Sequence, residues 1–210
     1  MIFEDAIYHY CEQHTNLPNP ALQELERQTN LRTTQPHMLS GHLQGQLLTL
    51  LTQLCNAQTV IDIGTFTGYS AICLAAGVQE GGIVHTIDID EEKRSIVHEF
   101  IEKSGFRQKI KTHIGKALDI IPTLNAPFDL VFIDADKESY LEYFDIVIDK
   151  MRKGGLIIAD NVLWKGKVLS ENKDKKTAII DEFNKKVMAD SRVEKLLLPL
   201  RDGLMIARVI

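Results

Sequence analysis

From residue 59 to the end of the chain, short runs rich in β-branched residues and leucine alternate with longer amphipathic stretches. The short runs indicate buried strands, and the stretches between them indicate helices. This alternation predicts βαβ units, in which a mainly parallel sheet is covered by helices on both faces. The seven predicted strands span residues 59–63, 83–88, 109–114, 128–134, 156–160, 193–198 and 204–209.

The last two predicted strands are joined by only a few residues, among them Arg201, Asp202 and Gly203. A crossover between parallel strands needs about a dozen residues or more, so this short connection predicts an antiparallel hairpin. We therefore expect an α/β fold whose seven-stranded sheet is mostly parallel and ends in an antiparallel pair.

Helices are predicted between the strands and ahead of them. Residues 91–104 carry an amphipathic pattern that Asp90 can cap and Gly105 can end. Residues 3–13, 20–28 and 42–56 are also predicted to be helical. A leucine stripe on the last of these is expected to pack against the sheet; its members are Leu43, Leu47, Leu50, Leu51 and Leu54.

Composition limits the classes of protein that remain. The chain has 210 residues, of which 44% are hydrophobic and 25% charged, which suits one globular domain: helices in residues 1–56 and an α/β core in residues 57–210. A net charge of -5 argues against a general polyanion binder. The three cysteines form no C-x-x-C pattern, and the chain start resembles no signal peptide, so we expect a cytoplasmic protein without disulfides or a membrane anchor.

A glycine turn follows the first predicted strand, in the segment IDIGTFTGYS. Gly64 and Gly68 would let the backbone approach a ligand at the carboxyl end of that strand. Their G-x-x-x-G spacing lacks the middle glycine of the dinucleotide fingerprint and the lysine of a phosphate-binding P-loop. The turn therefore disfavours a dinucleotide or a triphosphate.

Acidic residues lie at or near the ends of the first two strands. Asp88 closes the second strand, where a carboxylate can accept both hydrogen bonds of a ribose diol. An Asp at a strand end often caps the next helix instead, but Asp90 is available for that role. Together with Asp62 and the two glycines, Asp88 predicts an adenosyl ligand.

Strands four and five deliver further polar groups to the same edge of the sheet, in the segments DADK and DN. Asp134, Asp160 and Asn161 offer carboxylate and amide oxygens, the ligands that Mg²⁺ prefers, without the His or Cys typical of Zn²⁺. Such residues also commonly form turns or caps. The nearby Lys137 favours a metal site over turns or caps, because a lysine beside a cation can lose its proton and act as a base.

The segments IDIGTFTGYS, DADK and DNVLWKG resemble the cation-dependent O-methyltransferases, the family of caffeoyl-coenzyme A and catechol O-methyltransferases. The resemblance implies a Rossmann-like class I methyltransferase fold and S-adenosylmethionine (SAM) as cofactor. It makes Lys137 the general base. It also implies the metal ligands Asp134, Asp160 and Asn161, and the SAM contacts Met38, Ser40, Asp62, Gly64, Ser70, Asp88, Ala117 and Asp134.

Four departures from the plant members are visible. Asp62 stands in place of Glu, and Ser40 in place of Thr. The loop before the fourth strand is short, and the first helices show no close match to the plant coenzyme A-binding segment. These last two departures put specificity for coenzyme A esters in question.

The expected activity is therefore methyl transfer from SAM to a vicinal diol such as a catechol, supported by Mg²⁺ or by Mn²⁺ or Ca²⁺. The resemblance also implies a homodimer. Two alternatives stay open: methylation of a hydroxylated wobble uridine in tRNA by the same fold, and a non-catalytic nucleotide-binding module. Trp164 and Lys165 could form a wall of the acceptor pocket or anchor their loop.

Overall fold

The computed structural model describes residues 2–210, with side chains from residue 6 onward. The helices are α1 (Ile2–Gln13), α2 (Pro20–Arg32), α3 (His42–Leu54), α4 (Tyr69–Gly77), α5 (Arg94–Ser104), α6 (Ala117–Ile120), α7 (Tyr140–Ile148) and α8 (Lys175–Ala189). The strands are β1 (Thr59–Ile63), β2 (Ile83–Asp88), β3 (Ile110–Ile114), β4 (Phe128–Ile133), β5 (Met151–Asp160), β6 (Val193–Leu198) and β7 (Leu204–Val209).

All seven strands form one sheet, in the order β3-β2-β1-β4-β5-β7-β6. Strands β1 to β5 are parallel, and β7 runs antiparallel to both β5 and β6. The predicted mixed sheet and its terminal hairpin are thus confirmed. Because β7 reverses direction, the hairpin turn lies at the same edge of the sheet as the carboxyl ends of the parallel strands.

Side chains alternate between two hydrophobic layers along the central strands. Val60 packs in one core with Leu74 of α4 and Phe100 of α5. Its neighbour Ile61 packs in a second core with Phe144 of α7, on the opposite face. Helices therefore cover both faces, as predicted. Within residues 2–210, no helix is both long and apolar enough to cross a membrane.

Strand β5 begins at Met151, five residues earlier than predicted. Its first half contains Gly154 and Gly155, which are uncommon inside strands. A Cβ at Gly155 would lie 3.0 Å from the backbone oxygen of Asp129 on β4. The glycine therefore permits the close approach of the two strands where their register shifts, between Phe128 and Leu130.

The leucine stripe of α3 packs against the core only in part. Leu47 and Leu51 contact it, as predicted, whereas Leu50 and Leu54 do not. Leu50 is 46% exposed and Leu54 is 76% exposed. The buried face of α3 consists of Gln44, Gly45, Leu48 and Thr52. This face is buried because it contacts α4: a Cβ at Gly45 would lie 2.7 Å from the Sγ atom of Cys73. Small and polar residues let α3 approach α4, which itself covers the sheet.

Candidate active site

A cleft of about 870 Å³ opens at the carboxyl ends of β1, β2, β4 and β5. Most of the site residues suggested by the sequence line this cleft. They are Met38, Gly64, Asp88, Ala117, Asp134, Lys137, Asp160 and Asn161. Ser40, Asp62 and Ser70 do not line it, and all three side chains are buried. The fold therefore brings the adenosyl-type and metal-type candidates to one rim.

The turn after β1 is shaped by the neighbouring strand. Gly64 has a φ angle of +103°, and a Cβ there would lie 2.0 Å from the backbone oxygen of Asp134. No side chain can occupy this position without moving the end of β4. The absence of a side chain at Gly64 is thus required by packing within the protein, before any ligand is considered.

Asp88 holds two backbone groups in place. Its carboxylate accepts hydrogen bonds from the backbone N–H groups of Phe66, at 2.8 Å, and Asp90, at 2.9 Å. Asp90 caps the following helical segment, as predicted, by accepting from the backbone of Glu92. Asp88 is therefore rigidly oriented at the cleft, and each carboxylate oxygen has a lone pair left for another donor.

Asp62 lies behind the cleft wall. One carboxylate oxygen accepts hydrogen bonds from the hydroxyl groups of Thr86, at 2.6 Å, and Ser70, at 3.2 Å. The other oxygen, Oδ1, is buried and has no hydrogen-bond partner among the described residues. Burial, with a smaller contribution from the nearby charges of Asp134 and Asp88, raises the pKa of Asp62 to about 7. Such an unpartnered buried acceptor fits a polar ligand group.

Two carboxylates meet at the ends of β4 and β5. Burial, followed by the charge of Asp134, raises the pKa of Asp160 to about 6. The Oδ1 atom of Asp160 accepts from the backbone N–H of Asn161, at 2.7 Å, and its Oδ2 atom accepts from Nε2 of Gln44, at 2.7 Å. In the part of the chain that the structure describes, no three His, Cys, Asp or Glu side chains form a metal-type cluster. Two carboxylates and the Asn161 amide are the hard oxygen donors at this rim.

Lys137 is buried beside these acids. Its Nζ atom lies 3.2 Å from Oδ1 of Asp134 and 2.6 Å from the phenolic oxygen of Tyr140. Tyr140 in turn lies 2.9 Å from the backbone oxygen of Asp160, to which its hydroxyl can donate. The sequence analysis missed Tyr140, although its position three residues after Lys137 on a helical turn is a signal that could have pointed to it.

The loop after Asn161 reaches over the cleft, and the β6–β7 hairpin holds it. Trp164 and Lys165 both have positive φ angles, of 48° and 55°, and both line the cleft. The carboxylate of Asp202 accepts a hydrogen bond from the backbone N–H of Lys165. The backbone oxygen of Asp202 accepts a second one, from the backbone N–H of Leu163 at 2.9 Å. The loop is thus anchored by Asp202, a residue that the sequence analysis assigned only to the hairpin turn.

Comparison with known proteins gives a consistent result. A family model described as O-methyltransferase matches residues 12–210. The chain is 32% identical to caffeoyl-CoA O-methyltransferase 5 of Nicotiana tabacum, over 99% of this chain and 92% of that protein. It is 41% identical to a catechol O-methyltransferase of Niastella koreensis, over 61% of this chain and 60% of that protein.

Solved structures agree in fold. An O-methyltransferase from Bacillus cereus in complex with SAH superposes with a TM-score of 0.89, at 31% identity, over 98% of this chain and 97% of that one. The O-methyltransferase TomG from Streptomyces achromogenes in complex with SAM gives a TM-score of 0.90, at 29% identity, over 97% and 96% of the two chains. The chain belongs to the O-methyltransferase family and is a SAM-dependent enzyme.

Proposed function

We propose that this enzyme methylates one hydroxyl of a catechol-type vicinal diol, with a divalent cation held by Asp134, Asp160 and Asn161. One observation carries the proposal: two acidic side chains and an amide meet at the rim where Lys137 lies 3.2 Å from Asp134. Acceptor, base and methyl donor can therefore share one cleft.

The donor set fits a hard cation. Asp160 is 1% exposed, and the charge of Asp134 acts on it across the rim. Asp134 is half-buried, and holding its charge close to the buried charge of Asp160 is costly unless a cation or a proton compensates them. A small number of protein oxygen ligands suits Mg²⁺ or Mn²⁺, because the remaining coordination positions stay open to water or substrate. A bound cation would lower the pKa of both diol hydroxyls and orient them.

The other half of the cleft fits the adenosyl donor. Asp88 presents an oriented carboxylate suited to a ribose diol, and Met38 and Ala117 line the walls around it. The unpartnered Oδ1 atom of Asp62 suits the methionine ammonium, a group rich in donors. SAM supplies the methyl group when it is bound.

Lys137 is proposed to remove the proton of the reacting hydroxyl. Its Nζ atom is positioned by Asp134 and Tyr140, and little water reaches it. A positioned base near the acceptor contributes to the rate because the attacking oxygen must be ionised and aligned. Trp164 and Lys165 would form the outer wall of the acceptor site.

The names of the relatives support a catechol acceptor. One is called a catechol O-methyltransferase and several are called caffeoyl-CoA O-methyltransferases. The short loop before β4 favours an acceptor smaller than a coenzyme A ester. A homodimer and a cytoplasmic location stay predictions.

A methyl-transfer assay tests the proposal. Labelled SAM is offered with a panel of catechols, caffeoyl-CoA and tRNA, with Mg²⁺ or with EDTA. We expect transfer to catechols that EDTA abolishes and that added Mg²⁺ or Mn²⁺ restores. Undiminished turnover in EDTA would refute the proposed dependence on a cation. Methyl transfer to tRNA alone would refute the proposed catechol-type acceptor.

The Asp160→Ala variant separates the two halves of the site. We expect it to lose metal-supported activity while it still binds S-adenosylhomocysteine (SAH), because Asp160 lies on the acceptor side of the cleft. Calorimetric titration with SAH in the absence of metal provides the control.

A further inference from the structure

Gln44 contacts the proposed cation site from a helix outside all the motifs named above. It lies on α3, is completely buried, and donates from Nε2 to Oδ2 of Asp160 at 2.7 Å. The two residues are 116 positions apart in the chain. This hydrogen bond joins the helical layer before the sheet directly to the carboxyl end of β5.

Simple packing does not explain a glutamine at this position. The Oε1 atom of Gln44 is buried and has no hydrogen-bond partner in residues 2–210. A buried polar atom without a partner costs free energy, and an apolar side chain of similar size would avoid that cost. The benefit of the glutamine must therefore come from its N–H group, whose partner is Asp160.

Three contacts together fix Asp160. Gln44 holds Oδ2, the backbone of Asn161 holds Oδ1, and the hydroxyl of Tyr140 lies 2.9 Å from the backbone oxygen. Two donors on different oxygens set the plane of the carboxylate and leave a lone pair on each oxygen. A neutral amide can do this without cancelling the negative charge of Asp160, whereas a Lys or Arg at position 44 would compete with the cation for that carboxylate.

We propose that Gln44 is a positioning residue that orients the Asp160 carboxylate and thereby sets the affinity of the site for its divalent cation. This inference rests on the proposed cation site. Groups that hydrogen-bond a ligating side chain commonly change metal affinity by about 10–100-fold when they are removed.

The test uses Mn²⁺ as the probe and the full chain. Binding is measured by electron paramagnetic resonance of free Mn²⁺, for the parent, Gln44→Leu and Gln46→Leu. Gln46 is the matched control, since it lies on the same helix, is half-buried and makes no side-chain hydrogen bond within the described residues. We expect Gln44→Leu to weaken Mn²⁺ binding by roughly 10–100-fold and Gln46→Leu to leave it within about twofold.

Turnover provides a second readout that a merely structural role would not produce. With Gln44→Leu, we expect kcat to return toward the parent value at saturating Mn²⁺, while the affinity for SAH without metal stays unchanged. Should Gln44→Leu fold poorly, Gln44→Met keeps the side-chain length and removes the donor.

The outcomes distinguish the two proposals. Parent-like Mn²⁺ affinity in Gln44→Leu or Gln44→Met overturns the role of Gln44. A loss of turnover that saturating Mn²⁺ does not restore also overturns it, because local damage would then be the cause. If the parent itself bound no Mn²⁺, the proposed cation site would fail, and the role of Gln44 with it.

Discussion

The Nζ atom of Lys137 lies 2.6 Å from the phenolic oxygen of Tyr140, and both side chains are buried at the end of β4. Burial, together with the nearby acids, raises the pKa of Tyr140 well above its ordinary value, so the phenol stays protonated. Its single proton can be donated to the backbone oxygen of Asp160 while its lone pair accepts from Lys137. Tyr140 thus connects the proposed base to the strand that carries the proposed cation ligands.

Removing this hydroxyl should loosen Lys137. We expect Tyr140→Phe to lower kcat roughly 5–30-fold, because losing the hydrogen bond that orients Lys137 should raise the activation free energy by about 1–2 kcal/mol. SAH affinity should not change. Tyr143→Phe is the control, because its hydroxyl, on the same helix, donates to Asp136 instead, at 2.6 Å. Equal loss in both variants would argue against a specific role for Tyr140.

Lys137→Ala should remove the proposed base itself. We expect turnover to fall by roughly 10²–10⁴, with Mn²⁺ and SAH affinities nearly unchanged. The deficit should shrink as alkaline pH ionises the catechol without help. Initial rates measured across rising pH test this, and a deficit that stays constant would assign Lys137 to positioning rather than proton transfer.

Asp88→Ala should weaken binding of the adenosyl ligand. Losing a charged hydrogen-bond acceptor costs about 1.5–3 kcal/mol, so we expect SAH to bind roughly 10–100-fold more weakly by calorimetry. Because Asp88 also holds the backbone of Phe66, the melting temperature is recorded alongside. Unchanged SAH affinity would remove Asp88 from the ribose site.

Asp62 should make stability depend on pH in the ligand-free protein. The unfolded chain releases this proton near pH 4, whereas burial raises the pKa in the folded protein to about 7. Folded stability therefore falls as the pH rises from about 4 to 7, and it levels off above that. We expect Asp62→Asn to be more stable than the parent at pH 8, by about 1–4 kcal/mol.

That difference should shrink toward pH 5, because the parent carboxyl is then protonated in the folded state. Urea unfolding at pH 5, 6.5 and 8 measures it. A difference that does not vary with pH would contradict the buried, neutral carboxyl.

Gly64→Ala should destabilise the fold even without ligand, because the new Cβ would meet the Asp134 backbone oxygen. We expect a loss of about 3–5 kcal/mol, from steric overlap and from the positive φ angle. Gly105→Ala is the matched control, with a φ angle of +79° but no atom within 4 Å of its Cβ. It should lose only about 1–2 kcal/mol. If the two variants lost similar stability, the positive φ angle alone, and not the steric overlap at Gly64, would account for the loss.

Much of the fold follows from local patterns in the sequence. Four of the seven strands have the predicted bounds, and the hairpin follows from the short β6–β7 connection. Asp134 and Lys137 share a rim because they sit within one turn after a strand, so their proximity is almost a local property. Asp160 joins them because parallel neighbours end at the same edge.

The structure corrects two predictions: which face of α3 is buried, and where β5 begins. The leucine stripe of α3 is as apolar as a buried face, yet Leu54 is mostly exposed and Gln44 is buried. Hydrophobic periodicity indicates that a helix has an apolar side, but the close approach of α4 selects the narrow face with Gly45. Likewise, the early start of β5 at Met151 runs through two glycines that, by themselves, indicate a turn.

The α/β alternation, the antiparallel end of the sheet and the family motifs can be predicted from the sequence alone, since each depends on residues close together in the chain. The hydrogen bond from Gln44 to Asp160, across 116 positions, and the anchoring of the Lys165 loop by Asp202 follow only from the packed fold. The same is true of the position of Asp62 behind the cleft rather than on its surface. These relationships depend on how separate elements pack, and packing is set by the fit of whole surfaces, which no single segment encodes.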